Sequence, residues 1–205
     1  MTTEKRCLGL DQSQLRVESR ADGGETLHGY GMVFYNPANR GTEYELWPGI
    51  IERMRPSAAD GFLQADVLAS FNHNLDNLLG RRSNNTLRLF KDDIGLRYEI
   101  DLPSDEFGKR IANYVRRGDL KGSSFAANFT GIEYEDLEDR TTIRWVTKTD
   151  GIEIGPVAMP AYEATTAQMR SLGESLEKAR ADRERNRKEH FAIERQILDL
   201  TLSVQ

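Results

Sequence analysis

The sequence predicts a β-rich α+β fold or a β-barrel, followed by a long helical arm. Three observations carry this. Apolar residues alternate at period two in short segments, as in Leu87 and Leu89, then Leu96, Tyr98 and Ile100. In the body, the clearest apolar stripe at helical spacing lies in Ser104 to Arg117. From about Thr165 the composition turns to strong helix formers with dense charge. The 205 residues fit one domain with an added arm. The expected divisions are an N-terminal arm over residues 1–26, a body over 27–170 and a charged helical arm over 171–205.

Residues 1–26 are mostly polar and carry Gly23-Gly24, so they read as a loose arm with room for one edge strand. Leu27 to Tyr35 is rich in aromatic and β-branched residues and stops at Asn36-Pro37, the pattern of a strand and turn. Trp47-Pro48-Gly49 is a turn signal with apolar residues on both sides. Pro56-Ser57 suits the start of a short helix. Asp66 to Phe71 reads as a strand that delivers Asn72-His73-Asn74 at its end. Thr86 to Phe90 and Gly95 to Leu102 flank Lys91-Asp92-Asp93 as a hairpin.

The helix of Ser104 to Arg117 takes Ser104 as its N-cap and Asp105 and Glu106 at the positive end of its dipole. Phe107, Ile111, Tyr114 and Val115 form its stripe, and Gly118 suits the C′ position. Residues 119–130 then start a strand bearing Ser123 and Ser124. A charged turn (Glu135 to Arg140) leads to a strand from Thr141 to Thr147. Ile152 to Met159 forms a last extended run, where Pro156 suggests an edge or bulge. In the arm, Ile193, Ile197, Leu200 and Val204 make a short seam at helical spacing.

The net charge of −5 gives no bulk case for nucleic-acid binding. The single cysteine, Cys7, allows no internal disulfide and no cysteine metal cluster. No stretch approaches the roughly 18 apolar residues of a membrane span. The N-terminus lacks the apolar core of a signal peptide, which points to an intracellular protein. There is no phosphate-binding glycine loop, no His-Glu-x-x-His and no dinucleotide fingerprint. No cofactor or metal is expected.

Three histidines, His28, His73 and His190, are the side chains suited to taking a proton near neutral pH. A serine is a nucleophile only when a base takes its proton. In a strand, Ser123 and Ser124 face opposite sides, so one of them can face a site and the other cannot. His73 lies between two asparagines after an apolar strand, and it reads either as a base or as a loop histidine satisfied by backbone groups. Glu153 stands in an apolar run between Ile152 and Ile154. A buried carboxylate needs a partner, which is either a histidine that it orients or an arginine or lysine. His28 reads as structural, and His190, in a charged run, as solvated. Lys109, Arg110, Arg116, Arg117 and Lys121 read as a solvated helix face.

The same residues carry a resemblance. Gly29 to Phe34, Trp47-Pro48-Gly49, Phe71-Asn72-His73-Asn74 and Leu79-Gly80-Arg81 resemble the prohead, or capsid maturation, proteases of tailed phages. So do Thr86 to Leu89, Gly95 to Tyr98, Val115 to Asp119, Gly122-Ser123-Ser124-Phe125, Glu153 to Val157 and Met159 to Tyr162. The likeness spans about residues 27–170. It implies a fold similar to the herpesvirus assemblin proteases, a β-barrel with surrounding helices. It implies a serine endopeptidase that removes scaffold, or the scaffold-like segment of the major capsid protein, inside the immature capsid in the host cytoplasm. The family's catalytic histidine falls on His73, its serine on Ser124 and its proposed third member on Glu153. The herpesvirus relatives use a second histidine in the third role, for which His28 is the remaining body histidine. After the nucleophile the chain departs from the family, with Ala126-Ala127-Asn128-Phe129 where a glycine and an aromatic are common. The expected partners are the capsid or scaffold substrate, and another copy or the capsid at the arm, without nucleic acid or membrane. A structural capsid-assembly component that cuts little is the alternative reading.

Overall fold

The computed structural model describes residues 3–8, 10–138 and 141–159, with positions 181 and 185. The chain divides into two units, Met1–Tyr162 and Glu163–Gln205. In the second unit, Ala181 and Arg185 are helical. The rest of the expected arm, with His190 and the seam from Ile193 to Val204, lies outside the described residues.

The first unit opens with β1 (Thr3–Leu8), α1 (Leu10–Ser13), β2 (Arg16–Ser19) and β3 (Glu25–Val33). Next come β4 (Glu43–Trp47), β5 (Ile50–Met54), α2 (Asp60–Gln64), β6 (Leu68–Phe71) and β7 (Asn74–Arg81). The hairpin β8 (Leu87–Lys91) and β9 (Gly95–Asp101) precedes α3 (Glu106–Arg117). Two long strands, β10 (Gly122–Asp136) and β11 (Thr142–Val157), follow.

These strands form two sheets, not the expected barrel. One runs β1-β10-β11-β5-β4, with β6 also on β11 and β7 on β6; the other runs β2-β3-β9-β8. Among the described residues neither sheet closes on itself, because β7 pairs only with β6 and β4 only with β5. The core lies between the sheets. A Cβ on Gly31 of β3 would meet the Ile154 side chain of β11, and the Tyr98 hydroxyl of β9 reaches Ser123 of β10 at 2.6 Å. Phe125, Ile154, Leu96, Tyr98 and Ile100 are fully buried there, each aliphatic or aromatic side chain contributing about 1.5–3 kcal/mol.

The helix α3 starts one residue later than expected, because Asp105 rather than Ser104 caps it, accepting the Gly108 N–H at 2.9 Å. Gly118, at φ 77°, closes it as expected. The two runs expected at 141–147 and 152–159 are one strand, β11, antiparallel to β10 along its length. The register slips between Ala126 and Ala127 and again around Gly131, so a single bulged ribbon replaces two separate strands.

Among the described residues before 27, the strands are paired with the body. β1 lies antiparallel to β10, and β2 antiparallel to β3. A buried charge network fastens β1. The Arg6 guanidinium spans Glu52 of β5, with Nε 2.5 Å from Oε1 and Nη2 3.0 Å from Oε2. Arg144 of β11 also holds Glu52, and its Nη2 lies 3.0 Å from Glu4 Oε1. Glu52 is fully buried, so its charge depends on these two arginines. Burial pulls the Arg144 guanidinium down to about 10. Glu52→Ala leaves two arginines buried without their shared carboxylate. It is expected to cost about 3–5 kcal/mol of stability, read as a lower urea midpoint at an unchanged slope. A midpoint equal to wild type would show that the network does not hold β1.

Candidate active site

Three strands of the larger sheet position the site. β6 and β7 are joined by Asn72 and His73, with φ of 57° and 55°. Positive φ at both central residues is the requirement of a two-residue type I′ hairpin, which matches the twist of the flanking strands. Asparagine tolerates this region well and histidine is also enriched in it. Asn72 secures the turn to the end of β11. Its N–H donates to the Pro156 carbonyl at 3.1 Å, and its Oδ1 accepts the Ala158 N–H at 2.8 Å.

β11 runs between β6 and β10. Glu153 pairs with Leu68 on one side and Ala126 on the other, and Gly155 pairs with Ser124. Gly155 cannot carry a side chain, since a Cβ would come within 2.3 Å of the Ser70 carbonyl oxygen. The strand alternation separates the two serines. Ser123 points into the core, where its hydroxyl meets the Tyr98 hydroxyl at 2.6 Å. Its N–H donates to Ser13 Oγ at 2.9 Å. Ser124 points to the opposite face, and its Oγ lies 2.6 Å from His73 Nε2. His73 Nδ1 lies 3.0 Å from Glu153 Oε2. Ser70 of β6 donates to the other Glu153 oxygen, Oε1.

The Ser124 hydroxyl has a second acceptor, the Arg6 carbonyl of β1 at 2.9 Å. It also receives the Cys7 thiol at 3.3 Å. One proton serves both acceptors. With neutral His73, Nδ1–H on Glu153 leaves Nε2 free to accept from Ser124. With protonated His73, Nε2–H donates to Oγ and the hydroxyl turns to Arg6. Ser124 is fully buried, whereas the His73 side chain keeps 12% of its surface exposed. A carbonyl reacting with a hydroxyl must come within about 3–3.5 Å of its oxygen, an approach that the burial of Ser124 closes in this structure.

Burial opposes charge on His73, but hydrogen bonds with Cys7 and Glu153 and the Glu153 charge outweigh it and raise its pKa above the ordinary value. Burial pushes Glu153 up, yet the bonds from His73 and Ser70 outweigh it and the carboxyl titrates below its usual range. The pair is therefore tuned toward a carboxylate beside a readily protonated ring.

Of the other sequence candidates, His28 lies on β3 in the second sheet. Its ring nitrogens face Glu18 and Glu99 at 3.5 and 3.6 Å, and burial draws its pKa down. His73 Nδ1 already has Glu153 as its partner. Lys109, Arg110, Arg116, Arg117 and Lys121 are exposed. Sequence reasoning missed Ser70, Arg6 and Cys7. Ser70 is one serine in an apolar strand, and Thr3–Leu8 lacks the alternation that marks a strand. Ser70 lies in the strand that leads into the His73 turn, and nothing in the sequence separates it from any other strand serine.

With this geometry in place, the chain matches the family model of caudovirus prohead serine proteases over residues 13–179. The chain belongs to that family, and its role is that of a protease in capsid maturation. Among solved structures, the bacteriophage T4 capsid assembly protease, gp21, is similar at 10% identity with a TM-score of 0.46, over 77% of this chain and 99% of that one. No curated protein matches.

The His73 ring is expected to titrate with a midpoint above 6.5, read from its ring-proton NMR shifts. Because the folded pKa is raised, protonation of His73 stabilises the fold fully below the unfolded value and this contribution is lost as pH rises through the folded one. Glu153→Gln removes the charge and one acceptor and should bring the midpoint down. A midpoint unmoved by that change would mean that Glu153 does not control the ring.

Proposed function

We propose that Ser124 is the nucleophile, His73 its general base and Glu153 the group that orients the imidazole. The observation that supports this is the unbroken chain from Ser124 Oγ to His73 Nε2 at 2.6 Å and from His73 Nδ1 to Glu153 Oε2 at 3.0 Å. His73 takes the Ser124 proton as Oγ attacks a peptide carbonyl. The ring then gives that proton to the leaving amine, and the acyl group stays on Oγ. Water, deprotonated by the same ring, attacks the acyl carbon and releases the acid, restoring Ser124. Glu153 keeps Nδ1 protonated and stabilises the imidazolium.

The substrate is capsid scaffold, or the scaffold-like segment of the major capsid protein, and the cut is made inside the immature capsid in the host cytoplasm. The family supports this. The full burial of Ser124 supports a resting state that does not cut indiscriminately. In this reading, residues 171–205 form a charged helical arm whose seam docks on the capsid, scaffold or another copy, because a maturation protease must be carried into the shell.

Ser124→Ala and His73→Ala are each expected to lose about 10³-fold or more in activity, with the double variant little worse because the pair acts as a unit. Glu153→Gln should lose less than either. Trimming of co-expressed capsid protein measures this. Independent, additive losses would argue against a shared mechanism. Capsid protein left intact by wild type would favour a structural role.

Removing residues 171–205 should leave a folded body that still cuts an added capsid segment but is absent from purified proheads. Packaging at the wild-type level would rule out the arm as a docking element.

A further inference from the structure

Ser70 is 1% exposed, and its hydroxyl donates to Glu153 Oε1. The other carboxylate oxygen, Oε2, meets His73 Nδ1 at 3.0 Å. Each oxygen thus has its own donor, and both donors belong to the β6–β7 hairpin. The final torsion of a glutamate side chain is broad and poorly fixed by its own rotamer preferences. A carboxylate held at one oxygen can swing, and one held at both cannot. The Ser70 backbone is itself fixed, because its carbonyl packs against Gly155 too closely for a Cβ. Glu153 is 6% exposed, so water is a poor substitute for the lost donor.

We propose that Ser70 is a positioning residue of the protease, acting through Glu153 to fix the orientation and tautomer of His73. This rests on the assignment of Ser124, His73 and Glu153 above. The serine places one hydroxyl where a buried carboxylate needs a donor, and alanine would fit the same space without it.

The test uses the full chain and a fluorophosphonate probe of activated serines, with the maximal labelling rate and the apparent binding constant measured separately. Ser70→Ala is expected to lower the maximal rate about 10- to 100-fold, the scale of a lost hydrogen bond to a charged group, with the binding constant unchanged. Ser70→Thr, which keeps the hydroxyl, should recover most of the rate. In a Glu153→Gln background, Ser70→Ala should cost no more than about 2-fold. Ser70→Cys, a weak donor of similar size, carries the same comparison should the alanine variant fail to fold. An equal loss with and without the Glu153 carboxylate would make Ser70 merely structural and overturn the proposal, as would a wild-type rate in Ser70→Ala. The underlying assignment fails separately: labelling that survives Ser124→Ala or His73→Ala sinks it whatever Ser70 does.

Discussion

Glu153 is a carboxylate 6% exposed to solvent, and the arrangement around it follows from that. A buried charge is tolerated only when hydrogen-bonded and paired. β11 places Glu153 where β6 and β10 flank it, so its partners come from one neighbour and the serine from the other. Ser70 and His73 take its two oxygens. The same register puts Gly155 opposite Ser124, and the missing side chain lets β6 come close. A slip of one residue in either ladder would turn Glu153 into the core and Ile154 toward His73. The bulge beyond Ala126 lies past these pairs, so the strands bend without disturbing them.

The second constraint is at β1. Its pairing with β10 sets Cys7 opposite Ser124 and brings the Arg6 carbonyl to the Ser124 hydroxyl. The side chain of the same Arg6 is fastened to fully buried Glu52. Its guanidinium also lies 5.0 Å from the centre of the Phe129 ring. Lifting β1 away would separate desolvated charges, which costs far more than breaking one neutral hydrogen bond. β1 is thus held against β10 by desolvated charges as well as by its ladder.

Much of this was legible in the sequence. The period-two alternation of Leu96, Tyr98 and Ile100, the α3 stripe and the Trp47-Pro48-Gly49 turn all report local preferences, and each element formed. Glu153 was marked by being charged in an apolar run, and alternation required Ser123 and Ser124 to part. What was not legible depends on tertiary context. Thr3–Leu8 has no apolar face of its own, and it becomes a strand because β10 offers an edge and Glu52 offers Arg6 a partner. The two sheets could not be told from a barrel, since closure depends on which edges meet. Ser70 resembles any strand serine until Glu153 is placed beside it.

The turn at His73 shows why the site tolerates an unfavourable backbone. A left-handed histidine conformation is uncommon outside tight turns, and such strain persists only where the surroundings over-determine it. The surroundings here do so. Asn72 is tied to Pro156 and Ala158 at the end of β11, and the His73 ring is held at both nitrogens. A wider loop would relax the backbone, but it would let the ring swing about a flexible hinge. A two-residue turn leaves the imidazole little freedom besides its own rotamers. The hairpin that carries the ring also carries Ser70, so any movement of β6 against β11 displaces the ring and the donor to Glu153 together. Ser70 and His73 therefore keep their spacing to each other, and the Glu153 carboxylate meets both from the neighbouring strand.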